Sequence, residues 1–337
     1  VAAPEIERML GARQLVPAFR LAHEALAVLP GDPRLQALAS EATAAFQVTS
    51  EPLGARVSVK PYDAPDDNWY ELGITPFTGA PATELRWRVE KEGFLTQTVG
   101  RHPWGLLHFE LQREAGQLPG MVAVPGGVTA IYNQSLQVGP AVEMGAFWID
   151  QFETTNAEYA AFLHSEDYDS EERWQPLIAE LGLKQQTADV LSSFVDSTGQ
   201  PGPATWARGT VPERGEKHPV RGISWLEAAA YCEFRGKSLP TVFHFAKAGQ
   251  QEDLPERYFA GELLASNFNL KSTHPVGESS AIGPFGTFDL MGNVAEWAWN
   301  GDLVGRRYLS GASFAGPEYQ ATAVGEQADP LQRSEFA

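Results

Sequence analysis

The chain has 337 residues, a length that predicts two or three domains at roughly 150 residues per domain. Its 25 Lys and Arg residues are outnumbered by 43 Asp and Glu residues, and the formal net charge of −18 argues against a nucleic-acid partner, because phosphate binding requires clustered Lys and Arg. Cys232 is the only cysteine, which excludes an internal disulfide framework and a metal site built on two or four cysteines.

Residues 1–45 are predicted to form a helical hairpin. The stretch 29–33, with two prolines and a glycine, separates the two predicted helices. Because a hairpin of this size is too small to bury a core of its own, we expect either a docking or linker element or one tetratricopeptide-like unit. Apolar residues recur at a spacing of three or four, which places them on one helical face: Ile6, Met9, Leu10, Phe19, Ala22, Leu26, Leu35, Leu38, Ala39 and Ala42.

Residues 46–115 are predicted to form a small antiparallel β domain, since Pro and Gly divide short runs of alternating apolar and polar residues there. Three strings resemble a PEGA domain, with a Glu-Pro-x-Gly-Ala opening, a Gly-x-Thr-Pro turn and a Lys-x-Gly-aromatic close: 49–57 (TSEPLGARV), 72–76 (LGITP) and 89–94 (VEKEGF). The resemblance implies a surface or spacer module. We find no set of side chains in it that would carry chemistry.

Residues 118–337 are predicted to form an α+β domain. A strand begins at Met121 and another covers Phe147–Asp150. A helix follows Thr155 or Asn156, either of which is a suitable N-cap, and a second helix opens at Ser224 with the Ser-x-x-Glu spacing of a capping box. Long irregular stretches join these elements, so we expect a functional surface built from loops.

The same domain carries seven strings in a characteristic order: 121–127 (MVAVPGG), 147–156 (FWIDQFETTN), 218–225 (HPVRGISW), 228–232 (AAAYC), 239–241 (LPT), 275–277 (PVG) and 285–297 (FGTFDLMGNVAEW). They resemble the formylglycine-generating enzyme (sulfatase-modifying factor) family, and the last string is highly specific. The resemblance implies a C-type-lectin-like fold, with a core of two helices and short strands. It also implies a long irregular segment that displays a binding surface.

The family's catalytic members bind copper(I) with a pair of C-terminal cysteines and oxidise a cysteine of a client protein to formylglycine. Copper(I) requires soft thiolate ligands, and residues 311–337 contain no cysteine. Cys232 lies among small apolar residues of a predicted helix, where we expect a packed and inert thiol. We therefore expect no copper and no catalysis by the copper route.

Other relatives make sulfur–carbon bonds with non-haem iron bound by histidines. The seven histidines of this chain form no His-x-His pair: His23, His102, His108, His164, His218, His244 and His274. We expect no iron, with a triad assembled from distant loops as the open alternative.

The turn 289–296 (DLMGNVAE) matches the family's structural calcium loop. The resemblance implies that the carboxylates of Asp289 and Glu296, with backbone carbonyls near Gly292 and Val294, supply the hard oxygen ligands that calcium takes. The alternative is that both carboxylates accept hydrogen bonds from backbone amides in a tight turn.

The last segment follows the spacing of the family's terminal segment without its cysteines. It resembles the retroelement-diversified variable regions of bacterial and phage proteins with this fold. The resemblance implies a displayed ligand-binding surface at Tyr308, Ser310, Ala312, Phe314, Glu318, Tyr319, Gln320, Thr322, Val324 and Gln327. The alternative is a decayed catalytic segment without a ligand.

The first hypothesis is therefore a non-catalytic protein that binds a protein or another macromolecule through this segment. The second is a formylglycine-generating or iron-dependent oxidase with an unrecognised site, and the third is the regulatory tail of a bacterial Ser/Thr kinase, since kinase-linked PEGA proteins share this domain order. No apolar run reaches the roughly 18–20 residues that cross a bilayer, and no signal pattern opens the chain. We expect a cytoplasmic location.

Overall fold

The computed structural model describes residues 2–62, 64, 68–102, 105–133, 137–138, 141–249, 260–317, 321, 325 and 327–337. Along the chain it contains a helical unit, an all-β unit and a mixed α+β domain. None of the helices that the structure describes combines the length and the apolar character needed to cross a membrane.

The first unit has three helices instead of the predicted hairpin of two: α1 (Ala2–Gly11), α2 (Leu15–Val28) and α3 (Pro33–Ala42). The missed break lies just after Gly11, where Arg13 has a φ of 55° that no helix allows. The predicted break at 29–33 is confirmed, and Asp32 caps α3 by accepting hydrogen bonds from the amides of Arg34 and Leu35. Ile6 and Phe19 are buried between the helices.

The second unit is a sandwich of two small sheets, with strand orders β4-β1-β7 and β3-β2-β5-β6. Its strands are β1 (Thr43–Glu51), β2 (Arg56–Pro61), β3 (Tyr70–Ile74), β4 (Phe77–Pro81), β5 (Leu85–Glu90), β6 (Gln97–Arg101) and β7 (Leu106–Glu110). Trp87 is fully buried between the sheets, with its ring 6.2 Å from Phe46 and 6.0 Å from Phe109, centroid to centroid.

Two details of this unit differ from the sequence prediction. The first strand begins at Thr43, directly after α3, and not at Phe46. Strand β7 pairs with β1 in parallel, whereas an antiparallel domain was expected. The physical reason is that β7 follows β6 of the other sheet, so no hairpin turn constrains its direction against β1.

The C-terminal domain is α+β, as predicted. Its strands form small antiparallel pairs, β8 with β13 and β9 with β12, and a three-stranded sheet β14-β15-β16. The elements in chain order are β8 (Met121–Val124), β9 (Gly127–Thr129), β10 (Tyr132–Asn133), β11 (Gln137–Val138), β12 (Val142–Met144), β13 (Phe147–Asp150), α4 (Asn156–Leu163), α5 (Glu171–Glu180), α6 (Thr187–Leu191), α7 (Trp225–Phe234), α8 (Val242–Gly249), α9 (Ala260–Ala265), β14 (Glu296–Gly301), β15 (Arg307–Ser310) and β16 (Gln327–Ala328).

Both helix starts predicted in this domain are confirmed. Thr155 caps α4 and Ser224 caps α7, each in a complete capping box with the glutamate three residues later. The prediction of two helices was incomplete, because α5, α6, α8 and α9 are also present. These helices are short, and α5 contains Pro176, so their apolar spacing is too brief to stand out in the sequence.

The all-β unit contacts the C-terminal domain through its edge strand β6. The amide of Gly100 donates to the carbonyl of Gly283 at 2.9 Å, and Nε of Arg101 donates to the carbonyl of Pro284 at 2.9 Å. The hydroxyl of Tyr62 donates to the carbonyl of Ile282. One backbone amide and two side chains of the all-β unit therefore donate to carbonyls of the C-terminal domain, which covers part of the edge strand.

We expect the substitution Gly100→Ala to destabilise this contact. Its methyl group would press on the carbonyl of Ile282 and lie 2.8 Å from the Tyr62 ring, and overpacking of this kind costs about 1–3 kcal/mol. Thermal unfolding followed by circular dichroism measures the effect. The control is Gly116→Ala, whose methyl group meets open space; equal melting temperatures for the two variants would contradict the tight contact.

Candidate functional site

The C-terminal segment 311–337 is fixed to the domain core at both of its ends. Gly311 has a φ of 84°, and a Cβ there would lie 2.5 Å from Oε2 of Glu296 and 2.6 Å from the carbonyl of Leu290. At the other end, the buried Ala337 accepts a hydrogen bond from the amide of Gly222 at 2.9 Å. Only glycine fits the first position, because both the conformation and the space exclude a side chain.

A buried ion pair ties the same segment to α7. The guanidinium of Arg333 donates to both carboxylate oxygens of Glu227, at 3.0 and 2.8 Å, and to the carbonyls of Val195 and Gly202. Glu227 is fully buried, and burial raises its pKa although Arg333 opposes the rise. Removing either partner leaves an uncompensated buried charge, so this pair sets the position of the segment.

The predicted ligand-contact residues fall into four groups. Ser310 and Phe314 are buried, Tyr308 and Ala312 are half-buried, and Gln327 is exposed. The remaining five lie outside the described residues: Glu318, Tyr319, Gln320, Thr322 and Val324. The structure therefore places one of the described candidates, Gln327, fully at the surface.

Phe314 does not have the exposure expected of a displayed aromatic anchor, and this part of the prediction is corrected. Its side chain is 6% exposed, with its ring 6.2 Å from the Phe336 ring and 5.4 Å from the guanidinium carbon of Arg221. Its backbone is held on both sides, since its amide donates to the carbonyl of Asn293 and its carbonyl accepts from the amide of Leu270. Phe314 is part of the scaffold of the segment.

The turn predicted to bind calcium lies in the interior of the domain. Asp289 is 1% exposed and accepts hydrogen bonds from Nε2 of His274 at 3.1 Å and from the hydroxyl of Ser279 at 2.6 Å. Among the residues that the structure describes, its Oδ2 has no hydrogen-bond partner, and neither has Oε2 of Glu296. The amide of Val294 in this turn donates to Oε1 of Glu153 at 3.0 Å, so this hydrogen bond goes to a carboxylate from outside the turn.

Sequence reasoning missed two acidic residues beside this turn. Glu153 also accepts a hydrogen bond from the side-chain amide of Asn293 at 2.6 Å. Glu262 of α9 is fully buried, and neither of its carboxylate oxygens has a hydrogen-bond partner within the described part of the chain. Glu153 belongs to one of the strings that carry the family resemblance, whereas no pattern in the sequence singles out Glu262. We call Glu153, Glu262, Asp289 and Glu296 the acidic cluster.

Three carboxyl groups of the acidic cluster have raised pKa values. Burial, together with the charge of Asp289, raises the pKa of Glu153 well above its usual range. Burial and the charge of Glu153 do the same to Glu296. The pKa of Glu262 is raised to about 8 by burial and by Asp289. These carboxyl groups therefore repel one another in a poorly solvated space, where a cation would be stabilising.

The donor chemistry of this region suits a hard cation, because oxygen atoms of Glu262, Asp289, Asn267 and Thr287 are buried there without a hydrogen-bond partner among the described residues. Among the described residues, however, no group of three or more His, Cys, Asp or Glu side chains is placed to hold a metal ion. Calcium at this turn therefore stays a prediction.

The thiol of Cys232 lies on α7, and the structure describes it as a free cysteine. Burial raises its pKa to about 12, and the nearby charge of Asp150 adds to the rise. A thiol with this pKa is almost entirely protonated at neutral pH. It is therefore a poor nucleophile and a poor metal ligand.

We expect the stability of the metal-free protein to fall as the pH rises from about 5 to about 8. Glu262 keeps its proton in the folded state up to about pH 8 but loses it near 4.5 when unfolded, so the folded state binds more protons in this window. Urea unfolding in EDTA should show a loss of about 2 kcal/mol or more. Glu262→Gln should make the free energy of unfolding less dependent on pH, whereas the exposed Glu335→Gln should not. If Glu262→Gln left the pH dependence unchanged, Glu262 would not be its cause.

Comparison with known proteins covers mainly the C-terminal domain. The model of the Sulfatase-modifying factor enzyme 1-like domain matches residues 108–335, from β7 through the C-terminal domain. The serine/threonine-protein kinase pkn1 of Chlamydia caviae is 39% identical over 92 residues, which are 25% of this chain and 14% of that protein.

Two further relatives match over a longer stretch. The formylglycine-generating enzyme of Bos taurus is 28% identical over 212 residues, which are 52% of this chain and 56% of that protein. The inactive C-alpha-formylglycine-generating enzyme 2 of Mus musculus is 28% identical over 224 residues, 58% of this chain and 73% of that protein. The matched part thus spans little more than half of the bovine enzyme. With residues 108–335 matched, the chain belongs to the Sulfatase-modifying factor enzyme 1-like domain family.

Proposed function

We propose that this chain is a non-catalytic binding protein on a C-type-lectin-like scaffold. The observation that carries the proposal is the state of its single thiol. Cys232 lies on α7 with a pKa raised to about 12, and residues 311–337 contain no cysteine. Copper(I) requires thiolate ligands, so the residues of this chain cannot assemble the two-cysteine copper site of the catalytic members.

The ligand surface of the proposal is the C-terminal segment, and its anchoring supports this role. Gly311, Phe314 and Arg333 hold the segment to the core by close packing, ring contacts and a buried ion pair. Among the described residues between these fixed points, the exposed Gln327 can change without disturbing the core, whereas Ala321 is itself buried. This division suits a segment diversified by a retroelement, which binds a protein or another macromolecule.

The other units would serve as spacers in this proposal. The three helices and the PEGA-like sandwich carry buried apolar cores and join the C-terminal domain through β6. Among the described residues, no group of three or more His, Cys, Asp or Glu side chains in these units is placed to hold a metal ion. Their place in the chain is that of a connector.

A second candidate function is favoured by one comparison. The pkn1 kinase of Chlamydia caviae matches a quarter of this chain at 39% identity. The chain would then be the sensory or regulatory part of a bacterial Ser/Thr kinase, with the same C-terminal segment binding a ligand. Reading the gene upstream for a kinase catalytic loop, and beside it for a reverse transcriptase, separates the two candidates.

We expect the purified protein to leave a cysteine-bearing sulfatase peptide unoxidised when copper is supplied, because the thiolate pair is missing. Mass spectrometry of the peptide detects the conversion of its cysteine to formylglycine. The Bos taurus formylglycine-generating enzyme is the positive control under the same conditions. Robust turnover by this protein would overturn the proposal.

We expect calcium to raise the melting temperature of the protein, since a cation would offset the repulsion within the acidic cluster. Differential scanning fluorimetry with increasing calcium measures the shift, and magnesium serves as the comparison cation. Asp289→Asn should remove most of the calcium effect, whereas the exposed Glu335→Gln should keep it. A melting temperature independent of calcium would exclude the predicted site.

A further inference from the structure

The C-terminal domain contains a cavity of about 470 Å³ along one edge of strand β13. All four residues of β13 line it, whereas Met121 is the only residue of β8 that does. Because β8 pairs with β13 along the opposite edge, the cavity lies on the edge of β13 that no strand occupies. Successive side chains of a strand point to opposite faces, so a lining of four consecutive residues is that of a strand edge and not of a sheet face.

The backbone of β13 directs hydrogen-bonding groups to this cavity. In an antiparallel pair, alternate residues turn their N–H and C=O groups to the partner strand. The amide of Gln151 donates to the carbonyl of Gly120 at 2.9 Å, which makes the odd-numbered residues of β13 the ones that face β8. The backbone N–H and C=O groups of Trp148 and Asp150 therefore face the cavity, and among the described residues they make no hydrogen bond. An unpaired edge of this kind is a template for a further strand.

The cavity has an apolar wall on helix α7 and reaches the surface of the domain. Ala228, Tyr231 and Cys232 line it, at the spacing of three and four residues that places side chains on one face of a helix. Leu118 and Phe152 also line the cavity, and these large apolar side chains remain 45% and 37% exposed. An apolar occupant that covered them would be stabilised by the hydrophobic effect.

The size and charge of the cavity fit a short uncharged strand. Its volume lies within the range of about 300–1,000 Å³ that is usual for ligand sites, and the four residues of β13 span about 14 Å at roughly 3.4 Å per residue. Lys237 and Asp150 both line the cavity, but they are already paired with each other at 2.5 Å. The ammonium group of Lys237 therefore needs no anionic occupant.

We propose that this cavity is a docking slot, in which an extended apolar strand of a partner protein adds to the free edge of β13. Main-chain hydrogen bonds to Trp148 and Asp150 set the register of the added strand, and its apolar side chains lie against the walls, as in other proteins where a peptide extends a sheet. Apart from Ala337, the residues that line the slot lie outside the segment 311–337. The slot is therefore a second binding site, separate from the ligand surface proposed above.

Two matched peptides test the slot. Acetyl-Lys-Gly-Val-Phe-Val-Gly-Lys-amide can form a strand with apolar side chains, and its counterpart, N-methylated at both valines and at the phenylalanine, has the same charge but lacks those amide donors. Isothermal titration calorimetry measures both affinities. We expect the methylated peptide to bind at least about tenfold more weakly, because it loses main-chain hydrogen bonds that each add to the affinity.

A pair of substitutions in β13 tests the strand edge itself. Trp148→Pro removes an amide that points away from β8, so the hydrogen bonds between β8 and β13 are retained, and proline is accepted on such an edge. We expect this variant to lose binding of the unmethylated peptide. Trp148→Ala is the matched control, since it removes the same side chain but keeps the amide, and it should weaken binding much less.

A measurement on the unaltered protein covers the case in which Trp148→Pro fails to fold. Cys232 lines the cavity and is the only cysteine, so alkylation by iodoacetamide at alkaline pH labels a single position. The unmethylated peptide should slow this labelling severalfold, whereas the methylated peptide at the same concentration should not. Equal binding of the two peptides, binding of neither, or labelling that the unmethylated peptide leaves unchanged would each overturn the proposal.

Discussion

The arrangement of the C-terminal domain depends on the buried pair between Glu227 and Arg333. Glu227 serves two purposes, because its carboxylate also accepts hydrogen bonds from the amide and hydroxyl of Ser224 and so completes the cap of α7. Arg333 adds hydrogen bonds to Val195 and Gly202, so one guanidinium joins the C-terminal segment, α7 and the loop before it. Removing one partner of such a buried ion pair is strongly destabilising, because it leaves an uncompensated buried charge.

The acidic cluster, in contrast to this ion pair, holds like charges together in the same domain. Four carboxyl groups share a space in which burial and mutual repulsion raise the pKa values of Glu153, Glu262 and Glu296. Such a cluster costs folding free energy unless protons or a cation neutralise it. Calcium at the turn is the proposal that meets this requirement.

The chain keeps the scaffold of its family and lacks the cysteines with which the catalytic members bind copper. Gly311 and Phe314 are still packed into the core, while no thiol remains in the segment. The only thiol lines a cavity on the α7 side, where its raised pKa keeps it protonated.

Much of the architecture is visible in the amino-acid sequence. Local signals placed the all-β unit, the α+β domain and the caps at Thr155 and Ser224, because strand alternation and cap hydrogen bonds depend on residues close together in the chain. The sequence strings predicted which family the chain belongs to, and the family match over residues 108–335 confirmed it. The break at Arg13 was missed, since a single residue in a left-handed conformation leaves no periodic trace.

Contacts between residues far apart in the sequence were decided only by the tertiary structure. Glu153 lies 140 residues before Asn293, and nothing local indicates that their side chains are hydrogen-bonded. The burial of Phe314 likewise depends on Phe336 and Arg221, which the fold brings to it. Sequence patterns indicate which face of a helix or strand is apolar. The cavity, the acidic cluster and their electrostatics arise from how those faces are packed together, because burial and charge repulsion act through space and not along the chain.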